Sequence, residues 1–269
     1  MYELNDNQGT RELEIIRIKS GQRSREKDQV VTETPLTIFL NDREFVTLLC
    51  SPDKQDYLAV GFLRSEGFIN TADDLDELNV DYQKGIAFVR TKTTLDLVEK
   101  LYGKRTITSG CGKGTLFSHV LDSLQSKRVE SAMQIEAGVL LKLMYSLQEK
   151  SSLFKKTGGV HSAAIANREK ILFYCEDIGR HNAVDKIVGE CILKKVPLDD
   201  KILLSSGRLS SEIVIKGAKL QLPFIVSRSA PTSLSVDLAE QMGITMVGFV
   251  RGKRLNVYSH DYRIICLES

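Results

Sequence analysis

Tryptophan is absent from the 269 residues, and proline occurs only five times. Without tryptophan the chain lacks a side chain favoured at interface hot spots and in base stacking. No apolar run approaches the ~20 residues that a membrane-spanning helix requires. The opening MYELNDNQGTRELEII is polar and acidic, and lacks the basic and apolar regions of a signal peptide. The expectation is a cytoplasmic protein with no membrane partner. An excess of one charge is also missing. Lys+Arg total 37 against 35 Asp+Glu, a net of +2, which excludes a bulk nucleic-acid coat and leaves room only for a local basic patch. Cys50, Cys111, Cys175, Cys191 and Cys266 are odd in number and widely spaced, with no CxxC pair. Neither a disulfide framework nor a cysteine-only zinc cage is expected.

The composition that remains, 42% hydrophobic and 27% charged, is that of a folded chain with a real core. The length allows one large domain or two modest ones. Residues 1–29 carry five basic side chains within RIKSGQRSREK (17–27). They read as a solvated, mobile arm, the alternative being a docking tail for an acidic partner. Residues 30–49 alternate apolar and polar on both sides of Asn41-Asp42, which predicts a hairpin. Residues 56–67 have helical spacing ending at Gly67. The acids Asp73, Asp74, Asp76 and Glu77 read as a solvated face, and 85–91 as a strand. A small α+β unit, 30–116, thus ends in the glycine-rich loop GKRTITSGCGKGTL.

From 117 to 269 the rhythm is that of a layered α/β domain. After an amphipathic helix over 133–149, strands are predicted at 160–166, 171–175, 201–205, 223–227 and 245–250. Helices are predicted at 182–194, 210–221 and 233–242. Three handovers from strand to helix share one chemistry: CEDIGRHNAVD (175–185), SSGRLSSE (205–212) and SRSAPTSLSVD (227–237). Each joins small or hydroxyl residues to an arginine: Arg180, Arg208 or Arg228. Loops at the C-terminal ends of strands line one crevice in an open α/β sheet. Helix N-termini and arginine both favour anions there. Arg180, His181, Ser206, Arg208 and Thr232 are the candidate contacts, with FVRGKR (249–254) nearby in sequence. The ligand expected is one with several negative charges, such as a nucleotide or dinucleotide. Serine and aspartate before helices are also ordinary caps, so it is the threefold recurrence that carries weight. Neither GxGxxG nor GxxxxGK[ST] occurs in these loops.

Cys111 stands in TSGCGKG, with Arg105 and Lys113 as neighbours that favour a thiolate, the reactive form. Cys50, Cys175 and Cys191 lie in or beside apolar segments and read as packing residues, and Cys266 in IICL is apolar in context too. His161 and His181 are candidate acid–base or ligand-orienting groups. A zinc deaminase needs H-x-E and P-C-x-x-C. His161 is followed by Ser162 and Ala163, and no CxxC exists.

The segments ETPLTIFLNDREF, LAVGFLRSEG, TGGVHSAA, EDIGRHNAVDK, SSGRLSSE, SAPTSL and VGFVRGKRLNVY, in this order from about residue 30 to about 260, resemble the FdhD family of formate dehydrogenase accessory sulfurtransferases. The resemblance implies a C-terminal cytidine-deaminase-like three-layer α/β/α domain without zinc, joined to a smaller N-terminal α+β domain, and homodimers formed through the former. It implies that persulfide sulfur is taken from a cysteine desulfurase onto a loop cysteine. That sulfur then passes to the molybdenum (or tungsten) bis-molybdopterin guanine dinucleotide cofactor of formate dehydrogenase. Cys111 matches the persulfide cysteine. Phe249, Val250, Arg251, Gly252, Lys253 and Arg254 match the cofactor-binding segment. One departure stands out: the family loop reads C-G-x-C, whereas Cys111 is followed by Gly112, Lys113 and Gly114. A one-cysteine relay remains chemically sufficient. The rival expectation is a cofactor-binding chaperone that carries out no sulfur chemistry.

Overall fold

The computed structural model describes residues 9–92 and 128–266, together with the main chain of two short strands between them. The chain opens with β1 (Thr10–Lys19) and β2 (Gln22–Val31), which pair as an antiparallel ribbon closed at Ser20-Gly21. This ribbon stands where the sequence suggested a mobile arm. Most of its side chains face water, and its few apolar residues are spread over both faces. It therefore lacks the one-sided apolar alternation that marks a half-buried strand.

β3 (Thr34–Leu40), β4 (Arg43–Cys50), β5 (Leu75–Asp81) and β6 (Ile86–Thr91) make a four-stranded sheet in the order β4-β3-β6-β5. The expected hairpin turns at Asn41 and Asp42, both with positive φ. Alternate residues Leu36, Ile38 and Leu40 point to the core. α1 (Gln55–Glu66) covers that face and ends at Gly67 in the left-handed conformation. The acidic run corresponds to a 3-10 turn (Ala72–Asp74) and the start of β5, and Asp74 accepts the main-chain N–H groups of Asn70 and Thr71. β7 (Arg105–Thr106) and β8 (Gly114–Thr115) pair antiparallel.

The second half follows the predicted rhythm closely. After β9 (Ile135–Glu136) come α2 (Ala137–Lys150), α3 (Ser152–Thr157), β10 (His161–Ala166), β11 (Ile171–Asp177), α4 (Arg180–Leu193), β12 (Ile202–Ser205) and α5 (Ser211–Lys219). They are followed by β13 (Phe224–Ser227), α6 (Ser233–Met242), β14 (Thr245–Arg251), β15 (Arg254–Val257) and β16 (Ile264–Ile265), which pairs with β9. The main sheet has six strands in the order β11-β10-β12-β13-β14-β15. α2 buries Leu140, Leu143, Met144 and Leu147 on one face against Ala164, Leu204, Phe224 and Val226. α4, α5 and α6 bury Val184, Ile187, Val214 and Leu238 on the other side, with Ile165, Leu203, Ile225 and Met246. The result is helix, sheet, helix.

The two sheets do not have separate cores. α1 crosses α4 with its backbone almost in contact: a Cβ on Gly61 would fall 1.8 Å from the Asp185 carbonyl oxygen, and one on Gly189 would fall 1.9 Å from that of Tyr57. One cluster of buried residues runs from Leu36 and Leu58 through Val188 to Ile225. Beside this crossing, the Lys186 ammonium is fully buried 2.7 Å from the equally buried Asp177 carboxylate. It also donates to the Ser51 hydroxyl and to Asp53. Burial works against its charge, but Asp177 and Asp53 outweigh that penalty and hold Lys186 protonated.

Candidate functional site: a cationic sheet edge

Strand direction gathers the three loops. β11 and β12 are both antiparallel to β10, and β12, β13 and β14 are mutually parallel. The C-terminal ends of β11, β12, β13 and β14 therefore share one sheet edge, together with the first residue of β10, His161. The three arginine loops and FVRGKR all lie along it.

Each loop is shaped by its own hydroxyls and acids. In the first, the Asp177 oxygen facing away from Lys186 accepts the N–H of Gly179 and the amide of Asn182. This places Arg180 and His181 at the start of α4. In the second, the Ser206 hydroxyl accepts the N–H of Ser162, and the Ser205 hydroxyl accepts the N–H of Gly207. Gly207 is needed for close approach: a Cβ there would fall 2.9 Å from the Arg180 Cβ and 3.6 Å from the His161 Nδ1. In the third, Ser227 donates to the Gly207 carbonyl and accepts the N–H of Ser229. Serine thus serves mainly as loop scaffold at this edge.

His161, Arg180 and Gly207 consequently form one wall, with His181 and Arg208 close enough to act on His161 electrostatically. Burial, then Arg180, His181 and Arg208, hold the His161 imidazole below its usual pKa, and Asp177 opposes them only in part. His161 is neutral at pH 7, and adding a positive charge here is unfavourable. His181 Nε2 lies 2.9 Å from the Glu212 carboxylate. Its Nδ1 and the Ser210 hydroxyl are buried with no hydrogen-bond partner among the described residues. Buried polar atoms usually have partners. An anion seated here would supply an acceptor for Ser210.

FVRGKR is stitched to the third loop. Phe249 N–H donates to the Ser229 carbonyl, and Arg251 Nε donates to the Arg228 carbonyl. Phe249 has φ 52°, in the left-handed region, within an irregularity between β14 and β15. For a residue with a side chain this costs about 1–2 kcal/mol. Gly252 turns the chain, and Arg251, Lys253 and Arg254 are exposed. Besides Ser206, whose hydroxyl holds the second loop, two of the candidate contacts have other duties. Val250 is buried in the core under α2, so only its main chain is available to a ligand. Thr232 caps α6, its hydroxyl accepting the Ser235 N–H. Ser210 and Glu212 were not singled out from the sequence, although both stand at the head of a helix where serine and acids are ordinary.

Cys111 lies outside the described residues, in sequence between β7 and β8. The other cysteines separate clearly. Burial pushes the Cys50 and Cys191 thiols up to about 12 and Cys175 higher still, so none is a thiolate at neutral pH. Cys266 is exposed, contrary to its apolar context in the sequence, because it follows the short β16 near the end of the chain. Among the described residues, no group of three His, Cys, Asp or Glu side chains is placed to hold a metal ion, and no helix is long and apolar enough to cross a membrane.

Frame and edge together define a layered α/β protein with a cationic edge at its strand ends. The sequence profile of the FdhD/NarQ family matches residues 31–265, and the chain belongs to that family. Relatives called "Sulfur carrier protein FdhD" include one from Bacillus pumilus, 45% identical over 250 residues that make up 93% of this chain and 95% of that protein. Another, from Bacillus subtilis, is 42% identical over 93% of this chain and 96% of its own length. The crystal structure of a candidate formate dehydrogenase accessory protein from Desulfotalea psychrophila superposes with a TM-score of 0.77 at 26% identity, over 95% of this chain and 99% of the other.

Proposed function

We propose that this protein is a sulfur carrier in formate dehydrogenase maturation, with Cys111 as the sulfur-bearing residue and the cationic edge as the cradle of the acceptor cofactor. The Cys111 thiolate attacks the outer sulfur of a cysteine desulfurase persulfide. One S–S bond forms as another breaks, the desulfurase cysteine leaves as thiolate, and no net redox change occurs. The outer sulfur is then delivered to the molybdenum (or tungsten) bis-molybdopterin guanine dinucleotide cofactor, which is the substrate here. The C-terminal unit acts as a deaminase-like frame reused as a cradle, in a homodimer.

The observation that carries this reading is the convergence of Arg180, Arg208, Arg228 and FVRGKR on one sheet edge with unpartnered Ser210 and His181 atoms. That edge suits the pyrophosphates of such a cofactor. The missing second loop cysteine favours the alternative of a chaperone that binds the cofactor without sulfur chemistry. Incubation with cysteine desulfurase and cysteine, followed by peptide mass spectrometry, separates the two. A gain of about 32 Da, one sulfur, on Cys111 that is absent in Cys111→Ala supports the relay. Intact guanine-nucleotide binding with no adduct anywhere selects the chaperone.

A further inference from the structure

The β1–β2 ribbon is unaccounted for by the cradle. Its strands are ten residues long, and only its base is anchored: Gly9 lies against Leu153, and Val31 against Gly159. Leu13 and Val30 line a groove of about 1460 Å³ between that base, Pro52–Gln55 and the edge strand β11. A two-stranded ribbon alone is marginally stable in water.

The register sorts its side chains. On one face, Ile16 pairs with Arg25 and Ile18 with Arg23. Ile16 is 43% and Ile18 69% exposed. The acids of that face, Glu12 and Glu14, stand nearer the base, and Arg23 and Arg25 have no ion-pair partner among the described residues. The other face differs. There Arg17 is satisfied by Glu26 and Asp28, at 3.0 and 3.3 Å. Back on the isoleucine face but nearer the base, Lys27 is satisfied by Glu12 at 2.7 Å. The cations left over are Arg23, Arg25 and, at the turn, Lys19. They flank an apolar pair at the far end of a projecting finger.

We propose that this ribbon tip is a docking finger for an acidic protein surface with an apolar centre. Arginine is enriched at interfaces, and the exposed isoleucines beside it offer apolar area to bury. Unneutralised positive charge around an apolar patch admits acidic partners and repels basic ones. A protein fits better than nucleic acid, because the tip offers isoleucine where base stacking needs aromatic faces. The inference rests on the sulfur-carrier reading only in the choice of probes.

The test uses the full chain, purified cysteine desulfurase, purified formate dehydrogenase, a single-stranded oligonucleotide and phosphatidylglycerol vesicles, with affinity measured by interferometry at low and high salt. The wild type is expected to bind at least one of the two proteins. Arg23→Glu with Arg25→Glu should weaken that binding at least tenfold, mainly through slower association, and remove most of its salt dependence. Arg23→Gln with Arg25→Gln should fall between, and Ile18→Asp should weaken binding with the salt dependence retained. All should keep the wild-type thermal midpoint. Affinity unchanged within twofold in the charge-reversed variant overturns the finger while the Cys111 adduct assay stands apart. Wild-type binding to neither protein also overturns it, as does tip-dependent binding to the oligonucleotide or vesicles alone.

Discussion

Two regions of this molecule both gather basic side chains and hydroxyls and use them in opposite ways. At the seam between the sheets, Lys186, Asp177 and Ser51 satisfy one another inside the protein, with Asp53 reaching Lys186 from the surface. At the sheet edge, Arg208, Arg228, Lys253 and Arg254 face outward, and Ser210 and one nitrogen of His181 are buried without partners. A charge matched from within is architecture, whereas polar groups aligned without matching partners await something from outside. Asp177 belongs to both regions: one oxygen closes the seam, and the other shapes the loop that presents Arg180.

The contrast breaks if the seam can be removed cheaply. Lys186→Met leaves Asp177 buried without its cation, which typically costs about 3–5 kcal/mol. The urea midpoint should fall accordingly, and a loss below about 1 kcal/mol would make the seam no more structural than the rim. The converse substitution is Arg208→Glu with Arg228→Glu. Stability should change by about 0.5 kcal/mol or less, as for exposed sites. GDP affinity, measured by calorimetry, should fall at least tenfold, or about 1.4 kcal/mol. Thr232 sharpens the boundary, since its hydroxyl already caps α6. Thr232→Ala should cost about 1 kcal/mol of stability and leave GDP affinity within twofold.

The smallest effect concerns pH. His161 is held below its ordinary value of 6.5 in the folded protein. The unfolded chain therefore binds a proton more readily than the native state just below that pH. Stability from this group is fully present above 6.5, and declines as the pH falls toward the folded pKa. The thermal midpoint of wild type should drop more between pH 7.5 and 5.5 than that of His161→Gln. Equal drops would remove His161 from the electrostatic wall.

Much of the edge was legible in the sequence, because strand–loop–helix alternation places loops after parallel strands on one side. The helices predicted over 182–194 and 233–242 are α4 and α6, within two residues at each end. β5 was not legible. Asp76 and Glu77 interrupt its apolar residues at a register irregularity, so Leu75, Leu78 and Val80 never alternate cleanly. The ribbon escaped because adjacent Ile15 and Ile16 point to opposite faces and most of its side chains are exposed, so no period-two signal appears. The seam had no local signature. Lys186 meets Ser51 and Asp53 across more than 130 positions, and a lysine in EDIGRHNAVDK reads as surface until the fold buries it. Nothing in the sequence marks Gly61 and Gly189 as contact points, and only the crossing shows why a side chain cannot stand there.

The shared core has a practical consequence for anyone dividing this chain. A fragment beginning near residue 128 would lose α1 and the four-stranded sheet, and would expose the crossing face of α4 to water. It would also leave the Lys186–Asp177 pair without Ser51 and Asp53. Such a fragment is expected to aggregate or be degraded rather than serve as a minimal cofactor-binding module. Tags and fusions belong at the termini, because the two halves share one core and stand or fall together.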